Sequence, residues 1–152
     1  MCQEIVFATK DDEEELQALL TDYGMGLAGD IQDHVLIKTD NQVLAGAMVS
    51  RVGENMFHLL VFAVRNDGRK KGLGSQLLQK LLRWPGQYCR NVADPPEGAY
   101  SVTTIAKGES VGFYEKHGFL ACEFSSLIYP YDRQCDACSE KEDCNPVAMM
   151  FV

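Results

Sequence analysis

The sequence predicts an α/β or α+β fold in which a mixed sheet of about seven strands is flanked by helices. Apolar residues recur every second position in some segments and at helical spacing in others, and the two kinds of segment follow one another along the chain. The chain has 152 residues, of which 46% are hydrophobic, and this is enough for one sizeable core. We therefore expect a single domain over residues 1–152, without internal repeats or an interdomain linker.

The N-terminal part is predicted to be a strand followed by an amphipathic helix. Residues 4–8 alternate polar and apolar side chains, as a half-buried strand does. Thr9 and Asp12 have the spacing of a helix N-cap, and Gly24 and Gly26 are suited to end a helix. Between them lies one apolar stripe, formed by Leu16, Leu19, Leu20 and Tyr23. This stripe indicates a helix that packs one face on the core.

The middle of the chain is predicted to form three consecutive strands. Residues 34–38 and 43–52 are rich in aliphatic side chains, and Asp40 and Asn41 separate them, which is typical of an antiparallel hairpin. Residues 56–64 are the most apolar segment. We expect this segment to be the central strand and to be buried on both faces.

The rest of the chain is predicted to add two helices and three strands. A leucine stripe over residues 73–82 indicates a helix that ends before the following Pro-Gly pair. Residues 100–106 are typical of a strand and residues 110–116 of a helix. Residues 119–129 and 147–152 then complete the sheet as two strands separated by a loop.

The segment between the central strand and the leucine-rich helix is a candidate anion-binding loop. It runs from Arg69 to Ser75, and its three cations precede Gly72 and Gly74. Helix N-termini carry unpaired N–H groups and partial positive charge, and glycine lets a pyrophosphate approach them. A Walker loop would end in Gly-Lys-Ser/Thr, and a dinucleotide fingerprint would have a third glycine where this chain has Leu77. We therefore predict a different phosphate-bearing cofactor.

Two motifs make the chain resemble the GNAT superfamily of acyl-coenzyme A-dependent N-acetyltransferases. The pattern Arg-x-x-Gly-x-Gly at 69–74 resembles the pyrophosphate loop of that family, and residues 112–119 resemble its helix that carries Phe-Tyr-Glu-Lys and closes at Gly-Phe. The resemblance extends over residues 5–152 and implies a GNAT-like mixed, mostly antiparallel central sheet. The short connection from Tyr23 to His34 departs from the family, which usually has a second helix there, beside the acceptor site.

The resemblance implies that acetyl-coenzyme A (acetyl-CoA) is a cosubstrate. In this family it lies between the central strand and the strand that corresponds to residues 100–106, and its pantetheine arm pairs with the backbone of the central strand. Lys107 stands where the family often has an asparagine that holds pantetheine. Ser110 either supplies a compensating hydrogen bond or marks the start of the following helix. The candidate cofactor-binding residues are Phe62, Ala63, Val64, Arg69, Lys70, Lys71, Gly72, Leu73, Gly74, Ser75, Lys107 and Ser110.

The implied reaction is direct attack of a neutral primary amine on the thioester carbon, with a strand amide near Ala63 or Val64 stabilising the oxyanion. Tyr114 is the candidate general acid, because the family motif places a tyrosine close to the coenzyme A sulfur. The alternative is that Tyr114 is only a core residue. Its assigned role would be to protonate or hydrogen-bond the departing thiolate.

The general base is less well defined by the sequence. His58 lies on the strand that leads to the glycine loop, and its unperturbed pKa suits proton abstraction near neutral pH. Glu54 and Glu123 are carboxylate alternatives. Each of these three residues could instead be purely structural, since a lone histidine in a strand is usually a satisfied core or surface residue.

A cysteine-rich loop over residues 130–146, before the last strand, is not part of the usual family pattern. Cys135, Cys138 and Cys144 supply three thiols, and a C-x-x-C turn can direct two of them at one Zn²⁺. A structural zinc site normally has four ligands, and the fourth could be Cys122, His117, Asp136 or Asp143. An Fe-S site, a redox pair, an adventitious disulfide and plain reduced thiols are the alternatives.

The net charge of -8 argues against general nucleic-acid binding, which relies on Lys and Arg to neutralise phosphates. The longest apolar runs are too short to cross a bilayer. We expect a soluble, cytoplasmic monomer or homodimer whose partners are acetyl-CoA and an amine acceptor. The rival hypotheses are transfer of another acyl group or to a hydroxyl, a non-catalytic acyl-CoA sensor, and a metal-responsive regulator.

Overall fold

The computed structural model describes residues 4–39, 42–65, 72–89, 99–135 and 145–152. In these ranges the strands are β1 (Ile5–Phe7), β2 (Val35–Thr39), β3 (Gln42–Gly53), β4 (Met56–Val64), β5 (Ser101–Ala106), β6 (Leu120–Ala121) and β7 (Val147–Phe151). The α-helices are α1 (Glu13–Thr21), α2 (Leu73–Arg83) and α3 (Val111–Lys116). These elements follow one another in the predicted order.

The strands form one seven-stranded sheet in the order β1-β2-β3-β4-β5-β7-β6. Antiparallel pairing joins β1 to β2, β2 to β3, β5 to β7 and β6 to β7. β4 is the fourth strand of the seven and is largely buried, so the predicted central position of this segment is confirmed. The mixed sheet with flanking helices confirms the predicted fold class.

The described residues fall into two compact units. Those of Met1–Ser50 and Leu59–Pro95 form the first unit, and those of Arg51–His58 and Pro96–Val152 form the second. The first unit thus holds β1, α1, β2 and α2, and the second holds β5, α3, β6 and β7. A single domain over residues 1–152 stays a prediction.

In the first unit, α1 packs through the predicted apolar stripe. Leu16 and Leu20 are fully buried, in a core cluster that also contains Val61 and Ala63 of β4. A Cβ atom at Gly46 of β3 would collide with the Leu16 side chain. Glycine at this position therefore allows α1 to lie close against the sheet.

The segment before α1 confirms the predicted N-cap at Thr9, which caps the 3₁₀ turn that precedes the α-helix. The Asp12 carboxylate accepts a hydrogen bond from the Thr9 backbone N–H at 2.9 Å and forms an ion pair with Lys38 of β2 at 3.0 Å. One turn of 3₁₀-helix, Lys10–Asp12, leads into the α-helix. Burial raises the pKa of Asp12, but the hydrogen bonds from Thr9 and Lys38 outweigh this effect, and the net pKa lies below its ordinary value.

The connection between α1 and β2 contains no α-helix, and its residues 22–34 are all described. A single 3₁₀ turn, Ile31–Asp33, lies at its end. His34 holds the connection, because its Nδ1 donates to the Asp30 carbonyl at 2.9 Å and its Nε2 accepts from the Ala28 N–H at 3.3 Å. The expected departure from the family pattern is therefore present.

The predicted strand over residues 119–129 is too long. β6 covers only Leu120–Ala121, and a 3₁₀ turn, Phe124–Ser126, follows it. The backbone bonds from Ser126 N–H to the Glu123 carbonyl (2.9 Å) and from Leu127 N–H to the Phe124 carbonyl (3.0 Å) close this turn. Groups that bond locally in this way are not available for a strand ladder.

Of the helices in the described ranges, none combines the length and apolar character needed to span a membrane.

Candidate functional site

Helix α2 begins at the glycine that the loop motif predicts. Gly72 is its N-cap and adopts a left-handed conformation with φ 73° and ψ 19°, which glycine reaches without strain. The first helical hydrogen bond runs from Gln76 N–H to the Gly72 carbonyl at 3.1 Å, so the N–H groups of Leu73 and Gly74 precede the intrahelical ladder. This end of the helix is suited to bind an anion.

The structure thus places four of the predicted loop residues, and the others lie outside the described residues. Gly72, Leu73, Gly74 and Ser75 form the N-cap and first turn of α2. Arg69, Lys70 and Lys71 are outside the described ranges. Their part in cofactor binding stays a prediction.

At the end of β4, the backbone N–H and C=O groups of successive residues face alternate edges of the strand. The Arg65 N–H donates to the Leu44 carbonyl on β3 at 2.9 Å. Because the N–H and C=O groups of successive residues in a strand point to opposite edges, the groups of Val64 and Phe62 lie on the edge away from β3, and those of Ala63 face β3. Of the three residues predicted to pair with pantetheine, Phe62 and Val64 therefore have suitably directed backbone groups.

Tyr114 lies in α3 and is only 7% exposed. Its ring packs edge-to-face against Phe113 and Phe119, with centroid distances of 5.4 and 5.3 Å. Burial raises the pKa of Tyr114 strongly, and a hydrogen bond with the Thr104 side chain on β5 offsets only part of this effect. The phenol is therefore protonated at neutral pH, in the form that can donate a hydrogen bond or a proton.

The Gly-Phe pair after Tyr114 closes α3 with a Schellman motif. The Phe119 N–H donates to the Tyr114 carbonyl at 3.1 Å, and the Gly118 N–H donates to the Glu115 carbonyl at 3.1 Å. Gly118 has φ 97°, and a Cβ atom there would lie 3.1 Å from the Phe151 ring of β7. The conformation and the space at this position both favour glycine, which explains the end of the second motif.

Replacing Gly118 with Ala is expected to lower the free energy of unfolding by about 1–3 kcal/mol, because alanine is strained in this conformation and its methyl group crowds Phe151. Gly112→Ala is the matched control. A Cβ at Gly112, within α3, has no neighbour within 4 Å, so this variant should be neutral or slightly more stable. Urea unfolding of both variants measures the difference, and equal stabilities would contradict the assigned role of Gly118.

His58 lies on β4 and is 2% exposed. Its Nδ1 is 2.8 Å from the Thr103 hydroxyl, which donates to the Phe57 carbonyl at 3.3 Å. The hydroxyl must therefore accept the Nδ1 proton, so Nε2 carries the lone pair. The ring stacks on Tyr131 with a centroid distance of 4.0 Å. Burial lowers the pKa of His58 to about 4, and the imidazole is neutral at pH 7.

The other acid–base candidates lie on the surface of the second unit. Glu54 is exposed in the turn between β3 and β4, and Glu123 is exposed after β6.

Lys107 and Ser110, two of the predicted cofactor-binding residues, are half-buried, and the Ser110 N–H donates to the Lys107 carbonyl at 2.8 Å in the 3₁₀ turn that leads into α3. Ser110 is thus the N-cap of α3, one of the two roles considered for it.

Of the three cysteines predicted as metal ligands, the structure describes only Cys135, which is half-buried. Cys138 and Cys144 lie outside the described residues. Among the residues that are described, no group of three His, Cys, Asp or Glu side chains is arranged to hold a metal ion. Burial, together with the charge of Glu123, raises the pKa of Cys122. A metal site stays a hypothesis.

Comparison with known proteins identifies the family. Residues 30–120 match the model of the acetyltransferase (GNAT) domain. This match covers more than half of the chain, and the protein therefore belongs to the GNAT family. No curated protein matches the chain.

Solved structures of very different sequence share the fold. N-acetylglutamate synthase from Neisseria gonorrhoeae, complexed with coenzyme A and N-acetyl-glutamate, aligns with a TM-score of 0.74 at 14% identity, over 97% of this chain and 34% of that one. Rv2747 from Mycobacterium tuberculosis, in a complex with coenzyme A, aligns with a TM-score of 0.69 at 16% identity, over 98% of both chains.

The ribosomal-protein-S18-alanine N-acetyltransferase from Escherichia coli aligns with a TM-score of 0.64 at 16% identity, over 98% of this chain and 92% of that one. The chain spans about a third of the length of the N-acetylglutamate synthase. At these identities the likeness shows the fold alone.

Proposed function

We propose that the protein transfers an acetyl group from acetyl-CoA to a primary amine of a small molecule or peptide, by direct attack in a ternary complex. The observation that carries this proposal is the left-handed Gly72 N-cap, which opens the first turn of α2 in a chain that belongs to the GNAT family. The relatives from Neisseria gonorrhoeae and Mycobacterium tuberculosis were solved with coenzyme A bound, which supports an acyl-CoA cosubstrate.

The first unit supplies the groups proposed to hold the cosubstrate. The pyrophosphate would accept hydrogen bonds from the Leu73 and Gly74 N–H groups at the positive end of α2. The basic residues of the loop motif would add charge. The pantetheine arm would pair with the backbone groups of Phe62, on the edge of β4 away from β3, and its thioester end would lie beside Val64. This pairing depends on the backbone and requires no particular side chains.

The proposed reaction forms a C–N bond and breaks the C–S bond of the thioester. The amine loses one proton and the departing thiolate gains one, so the protein undergoes no net protonation. The Val64 N–H is the strand amide directed away from β3, and we assign it to stabilise the oxyanion of the tetrahedral intermediate.

Tyr114 is proposed to stabilise the departing thiolate. Its pKa is raised above the ordinary value near 10, and a thiol titrates near about 8.5, so complete proton transfer from the phenol to the thiolate is uphill by more than about 2 kcal/mol. We therefore infer that Tyr114 donates a strong hydrogen bond to the sulfur. The proton that finally reaches the sulfur then comes from the amine.

The hypothesis that His58 is the general base requires proton transfer from an amine to a group of much lower pKa. A lysine-like ammonium group titrates near about 10.4, so transfer of its proton to a histidine of pKa about 4 costs roughly 9 kcal/mol. Deprotonation of the same amine to water at pH 7 costs only about 4–5 kcal/mol. His58 could act as the base only if a bound substrate changed its surroundings, and a water relay is the simpler route.

Calorimetry with acetyl-CoA, followed by thiol release with a panel of primary amines, tests the proposed function. We expect a dissociation constant of ~1 μM to 1 mM, and thiol release that depends on at least one amine. Binding without turnover for any amine or acyl group would favour a sensor. Turnover with another acyl-CoA alone would change the assigned acyl group. If the protein bound no acyl-CoA, the proposal would be wrong.

A further inference from the structure

The hydroxyl group of Tyr23 donates a hydrogen bond to the backbone carbonyl of Val64, at the end of β4. Tyr23 lies just after α1, in a turn closed by a bond from its own N–H to the Leu20 carbonyl at 3.0 Å. Gly24, with φ 72°, ends the helix there. The Tyr23 ring is partly buried against the core cluster of the first unit. Sequence periodicity indicated only this packing role, and the long-range hydrogen bond adds a second one.

The bonded carbonyl points to the edge of β4 proposed to receive pantetheine. In a trans peptide the C=O and N–H groups point in opposite directions. The Arg65 N–H bonds to Leu44 on β3, so the Val64 carbonyl in the same peptide points away from β3. Tyr23 therefore fixes the orientation of the last peptide of β4 from the edge at which the cosubstrate arm is proposed to bind.

We propose that Tyr23 is a positioning residue for the pantetheine arm and the thioester of the cosubstrate. The Val64 carbonyl already points to this edge, where it would face the oxygen atoms of the arm, and its hydrogen bond from the Tyr23 hydroxyl both satisfies it and limits rotation of the last peptide. The bond from the Tyr23 hydroxyl to this carbonyl restrains the ψ torsion of Val64. It thereby restrains the residue whose N–H, in the preceding peptide, is proposed to face the thioester. The diphosphate, in contrast, is proposed to bind at the first turn of α2, and the hydrogen bond between Tyr23 and Val64 does not involve that turn. This inference rests on the proposed function.

The test compares two ligands on the variant Tyr23→Phe, which keeps the ring and removes only the hydroxyl. Calorimetry measures the affinity for acetyl-CoA and for 3′-phosphoadenosine 5′-diphosphate, which has the diphosphate but no pantetheine arm. The expected result is about 3–10-fold weaker binding of acetyl-CoA, as the loss of one neutral hydrogen bond predicts, with the nucleotide affinity unchanged within about twofold. Tyr88→Phe, a half-buried tyrosine of the same unit, is the matched control and should change neither affinity.

Each outcome decides between specific alternatives. If wild-type protein binds neither ligand, the proposed function fails and the inference falls with it. If wild-type protein binds both and Tyr23→Phe is indistinguishable from it, Tyr23 does not position the cosubstrate and the function survives. An equal loss of affinity for both ligands, or a large drop in the thermal unfolding midpoint, would show a general structural role and would overturn the inference.

Discussion

Tyr114→Phe is expected to slow acyl transfer about 100-fold while the dissociation constant for acetyl-CoA changes by less than about twofold. The phenol is buried and protonated, and its assigned partner is a sulfur that becomes negatively charged only as the C–S bond breaks. Removal of a preorganised donor to a developing anion typically lowers kcat by about 10²–10³-fold. The ground-state complex does not contain this charge, so cofactor affinity should be nearly unaffected.

Steady-state thiol release with the best amine of the panel measures this effect, and calorimetry measures the affinity. Tyr100→Phe is the matched control, because Tyr100 also packs edge-to-face on a phenylalanine in the second unit, with a centroid distance of 6.3 Å to Phe57. It should retain nearly full turnover. If Tyr114→Phe also turned over at the wild-type rate, Tyr114 would be a packing residue only.

The features that sequence predicted well are local ones. The N-cap at Thr9, the glycine that opens α2 and the glycine that closes α3 each depend on residues within five positions of one another. Short-range chemistry of this kind determines conformation wherever it occurs, so a motif can report it without any knowledge of the fold. The central position of β4 was predictable for a similar reason, since a strand buried on both faces is mostly apolar, as β4 is apart from His58.

The features that sequence could not predict depend on contacts between distant segments. The bond from Tyr23 to Val64 joins residues 41 positions apart, and helical periodicity assigned Tyr23 to the core without revealing where its hydroxyl lies. β6 was predicted too long, because local turn bonds at Ser126 and Leu127 compete with strand pairing in a segment of suitable composition. A sequence pattern carries no signal for which of these bonds is formed.

The acid–base behaviour of His58 likewise depends partly on its own residue type and partly on distant residues. Its residue type suggested a base with a pKa near 6.5, and the strand position was correct. The His58 ring stacks on Tyr131, which lies far along the chain, and its Nδ1 forms a hydrogen bond with Thr103 on β5. Burial among these residues sets the actual pKa, and no local pattern could have revealed it.

The stability of the protein is expected to fall by about 3 kcal/mol through His58 alone as the pH is lowered from 7 to 4. The pKa of this group is about 4 in the folded protein and 6.5 when unperturbed, so the unfolded chain binds the extra proton first. Above pH 6.5 His58 is neutral in both states, so the free energy of unfolding has its full value. This free energy falls as the pH is lowered from 6.5 toward about 4. The pKa of His34 is also lowered by burial and adds to the loss in the same direction.

The contribution of His58 is isolated by comparing wild-type protein with His58→Gln, which keeps an amide donor within reach of Thr103 and does not titrate. Urea unfolding at several pH values between 7 and 4 should give a shallower dependence of the unfolding free energy on pH for the variant, whatever its stability at pH 7. His117→Gln is the control, because this histidine is only half-buried and its replacement should change the slope much less. Equal slopes for wild-type and His58→Gln would mean that His58 is solvated enough to titrate normally, and the energetic argument against His58 as the base would then fail as well.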